Sequence, residues 1–274
     1  MPAASRRWRL EVAYRGTGFH GFAAQPGTET VAGAIGTALA SVLRLDVPPE
    51  LGCAGRTDAG VHALGQVVHV DLPDPLPGAS GDDEEDGARL ARSVTAVLDG
   101  RVVVAACAPA SDGFDARRSA TSRTYRYLVH EAPAPSPLLD GLAWHVGGAP
   151  MDVRAMAQAA YALLGEHDFR AFCRRPAGTD PAEPIRRRVL DVSVRCAADA
   201  SGVAHAGRLV RVDLTAAAFC HQMVRSLVAV LVAIGQHRLS AADLPERLRT
   251  GDRAGLPAPA PPEGLCLLSV AYDR

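Results

Sequence analysis

The chain reads as an α+β fold built on a mostly antiparallel sheet flanked by helices. Three observations carry this. Strand-like alternation recurs in neighbouring segments, as at Leu190, Val192, Val194 and then Val210, Val212, Leu214. Helical patterns fall between such segments without a regular strand-helix-strand repeat, which disfavours a parallel sheet. Hydrophobic residues make up 48% of 274 residues, enough to bury a substantial core.

The elements follow in order. Trp8, Leu10, Val12 and Tyr14 alternate with Arg9, Glu11 and Ala13, the pattern of a half-buried strand. Thr30 caps a helix that places Val31, Ile35, Leu39 and Val42 on one face. A glycine-bounded loop at 55–60 leads into a strand marked by Val68, Val70 and Leu72. Residues 94–98 read as a short helix and 101–107 as an apolar strand. In the second half, 123–130 is a strand with Tyr125, Tyr127 and Val129 on one face. Residues 151–164 form a helix that Gly165 ends. The linker 196–207, rich in Ala, Gly and Ser, joins two strands as a loose hairpin. An apolar helix covers 219–235, and Ser240-Ala-Ala-Asp243 opens another that Gly251 closes. Residues 265–272 form the last strand, and the Pro-rich stretches 131–137, 174–184 and 257–262 are loops.

Composition excludes several classes. The longest apolar stretch, 227–234, is far too short for a membrane span. The first eight residues carry arginines but no apolar segment of a signal peptide, so a cytoplasmic location is expected. Six cysteines include no C-x-x-C pair, so reduced thiols acting as small hydrophobes are expected, without a zinc or redox site. Lysine is absent, and all 29 basic residues are arginine, a planar fork suited to phosphate and to stacking. Net charge is −1, but the acids at 82–86 sit together in a stretch, 74–87, that reads as a solvated loop. Without those five acids the charge is +4.

Three segments carry chemistry. Gly55-Arg56-Thr57-Asp58-Ala59-Gly60-Val61-His62 sets a carboxylate two residues from a guanidinium that would keep it ionised and oriented. Alone, an Asp in a glycine turn usually stabilises the turn. Arg123-Thr124-Tyr125-Arg126-Tyr127 sets aromatic rings on one strand face with arginines around them, which suits stacking on a base and gripping phosphate. Phe219-Cys-His-Gln-Met-Val-Arg225 puts one arginine on an apolar helix, where it needs a carboxylate partner or a path to the surface. Further arginines at 117, 118, 123, 126, 174, 175 and 186–188 could form one phosphate-tracking surface or separate solvated faces. His62 and His221 lie near these motifs and take no role.

These segments, with Pro262-Glu263-Gly264-Leu265, resemble the motifs of the tRNA pseudouridine synthase A family, and the resemblance spans nearly the whole chain. It implies that Asp58 is the catalytic carboxylate. Arg56 and Arg225 orient it, with Arg225 pairing to Asp58, and Tyr125 packs on the target uracil. It implies isomerisation of uridine to pseudouridine in the anticodon stem-loop of tRNA, positions 38 to 40, without cofactor or metal. It also implies a homodimer and two pseudo-symmetric lobes sharing a sheet, with a central, arginine-lined cleft. The lobes are expected at 1–110, carrying the Asp loop, and 111–274, carrying the Tyr strand and Arg helix. Three departures stand out. Tyr14-Arg15-Gly16 and Gly21-Phe22-Ala23 replace the family's YDG and GWQ, Thr95 and Asp99 replace Asn and Pro, and Cys266 replaces a tyrosine. Two other readings are a catalytically silent tRNA-binding or folding chaperone, and a glycosidic hydrolase. The latter needs a second carboxylate that no segment marks.

Overall fold

The computed structural model describes residues 4–175, 178–180, 182–197 and 207–273. In chain order the elements are β1 (Ser5–Tyr14), α1 (Val31–Leu43), β2 (Leu51–Cys53), β3 (His62–Pro73), α2 (Asp83–Val97) and β4 (Val102–Pro109). There follow β5 (Ala120–Glu131), β6 (Trp144–Val146), α3 (Val153–Ala160), β7 (Gly165–Asp168), β8 (Arg186–Cys196), β9 (Arg208–Ala216), α4 (Met223–Gly235), α5 (Asp243–Thr250) and β10 (Leu265–Tyr272). The mixed, mostly antiparallel architecture agrees with the α+β expectation. Two compact units contain these elements: Met1–Thr121 with Leu267–Arg274, and Ser122–Cys266.

In the first unit the strands lie in the order β4-β1-β3-β10, and β2 adds to β3. β1 pairs antiparallel with β3 and β4, with Leu10 opposite Val68 and Trp8 opposite Val70. Trp8, Leu10, Val12, Val68, Val70 and Leu72 are all buried, as their period-two spacing requires. Val67, on the opposite face, joins Ala54, Phe114 and Ala116 in a second small cluster capped by Val270 and Tyr272.

The acidic run at 82–86 opens a helix, where the sequence suggests a loop. Asp82 is the N-cap and accepts from the backbone N–H groups of Glu84 and Glu85 at 2.8 and 3.1 Å. Acids in a first turn are favoured by the free N–H groups and the positive end of the helix dipole. Asp83 takes a two-pronged contact from Arg6 at 2.7 and 2.9 Å. Asp86 accepts from Ser80 N–H at 2.9 Å and from Arg89 at 2.8 Å. The helix therefore runs from 83 to 97, and residues 94–98 are its end rather than a separate element. Gly87 lies so close to the Cys107 carbonyl that a Cβ there would collide with it.

In the second unit β5-β9-β8-β7 form an antiparallel series, with β6 parallel to β5. Tyr125, Tyr127, Val192, Val194, Val210, Val212 and Leu214 are buried on one face. Every residue of α4 is buried except Arg225. Three expectations need correction. Leu190 is exposed, because the register shifts between Val189 and Asp191 and turns Val189 inward instead. The helix expected over 151–164 ends at Ala160 in a single tight turn, and Gly165 (φ 97°) opens β7. The apolar helix begins at Met223, not Phe219, after Gln222 adopts a left-handed conformation. The hairpin of β8 and β9 forms as expected, while the linker loop at 198–206 lies outside the described residues, as do 176, 177 and 181 of the Pro-rich stretch.

The cysteines also differ from expectation. Cys173 and Cys220 form a disulfide, with Cα atoms 5.8 Å apart. The Arg174 N–H donates to the His221 carbonyl at 3.0 Å, which brings two segments together that are remote in sequence. Burial pushes the Cys107 thiol up to about 12, consistent with its role as a small hydrophobe.

The Ser80 N–H, together with Arg89, holds the Asp86 carboxyl below its ordinary range. A depressed folded-state pKa gives stability that is present above the unfolded value and lost as pH falls through the folded one. Asp86→Ala should therefore lower the melting temperature near neutral pH, and its deficit against wild type should shrink below about pH 4. Thermal melts followed by circular dichroism across that range test this. In the second unit, the Tyr127 hydroxyl donates to the Pro261 carbonyl at 2.7 Å, and a Cβ on Gly264 would come within 2.5 Å of the Tyr127 ring. Gly264→Ala should cost about 2 kcal/mol in urea unfolding, and a smaller residue at 127 should recover part of that loss.

Candidate active-site loop and its partners

Arg56 and Asp58 sit in the loop 54–61 between β2 and β3. Arg56 is exposed, Asp58 is half-buried, and Thr57 between them is buried. A loop holding a half-buried carboxylate keeps its geometry only if its backbone groups are satisfied. Here they are met from three directions. The Phe22 N–H donates to the Thr57 carbonyl at 3.0 Å, and the Val61 N–H to the Asp58 carbonyl at 3.1 Å. The Gln66 side-chain amide donates to the Gly55 carbonyl at 2.7 Å from a fully buried position on β3. The Tyr14 hydroxyl and the Thr57 hydroxyl share a bond of 2.8 Å.

Glycines make this closeness possible. A Cβ at Gly16 would collide with the Val61 carbonyl, and one at Gly21 would stand 3.1 Å from the Thr57 carbonyl. Gly60 turns the chain at φ 81°, in the left-handed region. The Gly16 N–H donates to His62 Nδ1 at 3.0 Å, so this buried imidazole is an acceptor at Nδ1. His62, to which sequence reasoning gave no role, is part of the frame. So are Tyr14, Gly16, Gly21, Phe22 and Gln66. Their available signals were a tyrosine and two glycines ahead of the loop, and a glutamine inside an apolar strand.

In the second unit Tyr125 lies on β5 and is 8% exposed. Its ring meets Phe219 edge-on, with centroids 5.1 Å apart. Phe219 belongs to the segment that turns into α4, and Arg225 is the third residue of that helix. The Arg225 Nε donates to the Ala260 carbonyl at 2.7 Å, and the Ala260 N–H donates to the Arg225 carbonyl at 3.1 Å. The start of α4 is thus fastened to the segment just ahead of the Pro262-Glu263-Gly264-Leu265 motif. Tyr125 and Arg225 therefore share one unit, and Arg56 and Asp58 share the other.

The arginines named from the sequence divide by task. Arg123 donates to the Ala217 carbonyl at 2.8 Å, and Arg175 to the carbonyls of Asp180 and Glu183. Arg126 pairs with Asp213. Arg117, Arg118, Arg174, Arg186 and Arg188 are exposed. Among the described residues, no group of three or more His, Cys, Asp or Glu side chains is placed to hold a metal ion. No helix among them is long and apolar enough to cross a membrane.

The bond between Tyr14 and Thr57 lends itself to a double-mutant cycle. Tyr14→Phe and Thr57→Val should each cost about 1 kcal/mol in urea unfolding, and the double variant should cost less than the two together. Simple additivity would show that the hydroxyls do not act as a pair.

A family model described as tRNA pseudouridine synthase matches residues 159–273. A tRNA pseudouridine synthase A of Frankia casuarinae is 45% identical, over 97% of this chain and 89% of its own. The tRNA pseudouridine synthase A of Gluconobacter oxydans is 37% identical over 99% of this chain and 91% of its own. That of Cutibacterium acnes is 40% identical over 97% and 88%. Identity at this level over nearly the whole chain shows that it belongs to the tRNA pseudouridine synthase A family.

Proposed function

We propose that this chain converts uridine to pseudouridine in tRNA, with Asp58 acting on the ribose. The observation that carries this is the framed loop: an aspartate whose loop backbone is held by hydrogen bonds on both sides of it, in a chain whose relatives bear that activity in their names. The reaction breaks the bond between uracil N1 and ribose C1′. The detached base turns, a bond forms between C5 and C1′, the C5 proton leaves, and N1, freed of the sugar, takes up a proton, so the product is an isomer of the substrate. Asp58 begins it as nucleophile at the sugar or as base on a sugar proton.

Arg56 and Arg225 are assigned to orient the Asp58 carboxylate, and Tyr125 to pack on the uracil while it turns. The finer assignments are part of the proposal: positions 38 to 40 of the anticodon stem-loop as target, a homodimer in the cytoplasm, and no cofactor.

The test uses unmodified tRNA transcript carrying tritium at uracil C5. Wild type should release tritium without free uracil. Free uracil would indicate hydrolysis, and binding without release would indicate a chaperone. Asp58→Ala should lose at least about 10⁴-fold in kcat. Tyr125→Phe should keep most of the activity, while Tyr125→Ala should lose about tenfold or more, the worth of one stacking contact. An Asp58→Ala variant that turns over at the wild-type rate would overturn the assignment.

A further inference from the structure

We propose that Arg126, Arg195 and Arg211 form a contact for the phosphate backbone of RNA on the outer face of the second unit's sheet. This rests on the reading of the chain as a tRNA enzyme and adds a surface separate from the residues assigned to the reaction.

The register places these side chains together. On β9, Val212 and Leu214 are buried, so Arg211 and Asp213 face the other way. Arg126 on β5 lies opposite Asp213. On β8, Ser193 lies opposite Asp213 and Arg195 opposite Arg211. Three neighbouring strands thus deliver three guanidiniums to one carboxylate. Arg126 grips Asp213 with two bonds, at 2.8 and 3.2 Å. Arg211 reaches it at 3.1 Å, and Arg195 at 3.7 Å.

One anion among three cations leaves an excess of two positive charges. Asp191, exposed on the same face, is the next carboxylate along β8, and it forms no ion pair with them among the described residues. Like charges this close repel, so the cluster persists at a cost that a polyanion would relieve. Asp213 is 14% exposed and works as a hub, aligning the guanidiniums. Arg195 is 59% exposed and gives Asp213 only its long contact, so its N–H donors are available to a ligand. The guanidinium fork suits phosphate oxygens, and its charge persists at any physiological pH. The side chains stand on successive strands about 5 Å apart, a row about 10 Å across. A row suits the spaced charges of a nucleic acid strand better than it suits one small phosphate, which calls for a concave site.

The test measures binding of unmodified tRNA by wild type, Arg195→Gln and Arg211→Gln over about 50 to 200 mM salt. Each lost phosphate contact should reduce the slope of log K against log salt by about 0.7 to 0.9. Affinity at low salt should fall about three- to tenfold, and the loss should fall on KM rather than kcat. Arg195→Lys should recover much of the slope. Asp213→Asn should act in the opposite direction, tightening binding and steepening the slope. Wild-type slopes in both glutamine variants would overturn the proposal. So would a change in sedimentation with unchanged tRNA slopes, which would make this face a contact between copies of the chain. If wild type releases tritium while the slopes do not move, only this surface falls. If wild type neither binds nor turns over tRNA, the functional reading falls with it.

Discussion

The structure depends on how the backbone around Asp58 is held, because a short loop keeps its geometry only where its backbone groups are met by rigid neighbours. Gln66 takes the Gly55 carbonyl, Phe22 takes the Thr57 carbonyl, and Tyr14 meets the Thr57 hydroxyl. Each clamp comes from an element whose position is set by the core of its own unit. Tyr14 ends β1, Gln66 stands in β3, and Phe22 leads into α1. The alternating Trp8, Leu10 and Val12 fix β1 against β3, and so they fix the frame as well. Packing in the first unit thus sets the geometry of the loop, and a defect in that packing would reach Asp58 through backbone hydrogen bonds.

Much of this was legible in the sequence, for reasons that differ from place to place. Half-buried strands announce themselves by period, so β1, β3, β5 and β9 were placed correctly. The start of α2 was hidden because an N-cap aspartate followed by acids resembles a solvated loop, and the first buried residue of the helix, Asp86, is itself an acid. Leu190 was turned to the wrong side because one extra residue in a strand inverts every side chain beyond it, and no local signal marks the insertion. The Cys173–Cys220 pair could not be read from spacing, since tertiary contact alone brings those segments together. Asp58, Arg56, Tyr125 and Arg225 were visible as motifs, whereas their supports were visible only as residues with unexplained types. The departures at Arg15, Phe22 and Ala23 leave Gly16 and Gly21 in place. Phe22 meets the loop through its backbone, which any residue but proline supplies.

A chain whose basic residues are all arginine uses them for more than charge. Arg123, Arg170, Arg175 and Arg225 bind backbone carbonyls that loops and helix ends leave open. Arg6 and Arg7 each grip both oxygens of one carboxylate, Asp83 and Asp71. A guanidinium can do this because its donors are spread in a rigid plane, whereas an ammonium concentrates its donors at one point. The near-neutral net charge therefore says little about the surface, since many cations are committed inside the fold.

The last strand carries a consequence for how the molecule is made. β10 begins at the end of the second unit, and from Leu267 onward it belongs to the first. Tyr272 donates to the Ala116 carbonyl, lies under Arg9 and packs on Phe114, while the Leu268 carbonyl presses against Gly65 on β3. During synthesis, the second unit has all of its chain before the first does. The unit translated first must wait with one edge of its sheet uncovered until residues 267–272 emerge. The loop that carries Asp58 is thus among the earliest segments made, while the strand that completes its sheet is among the last, so a stalled or prematurely released chain would carry the motif in a sheet with one open edge.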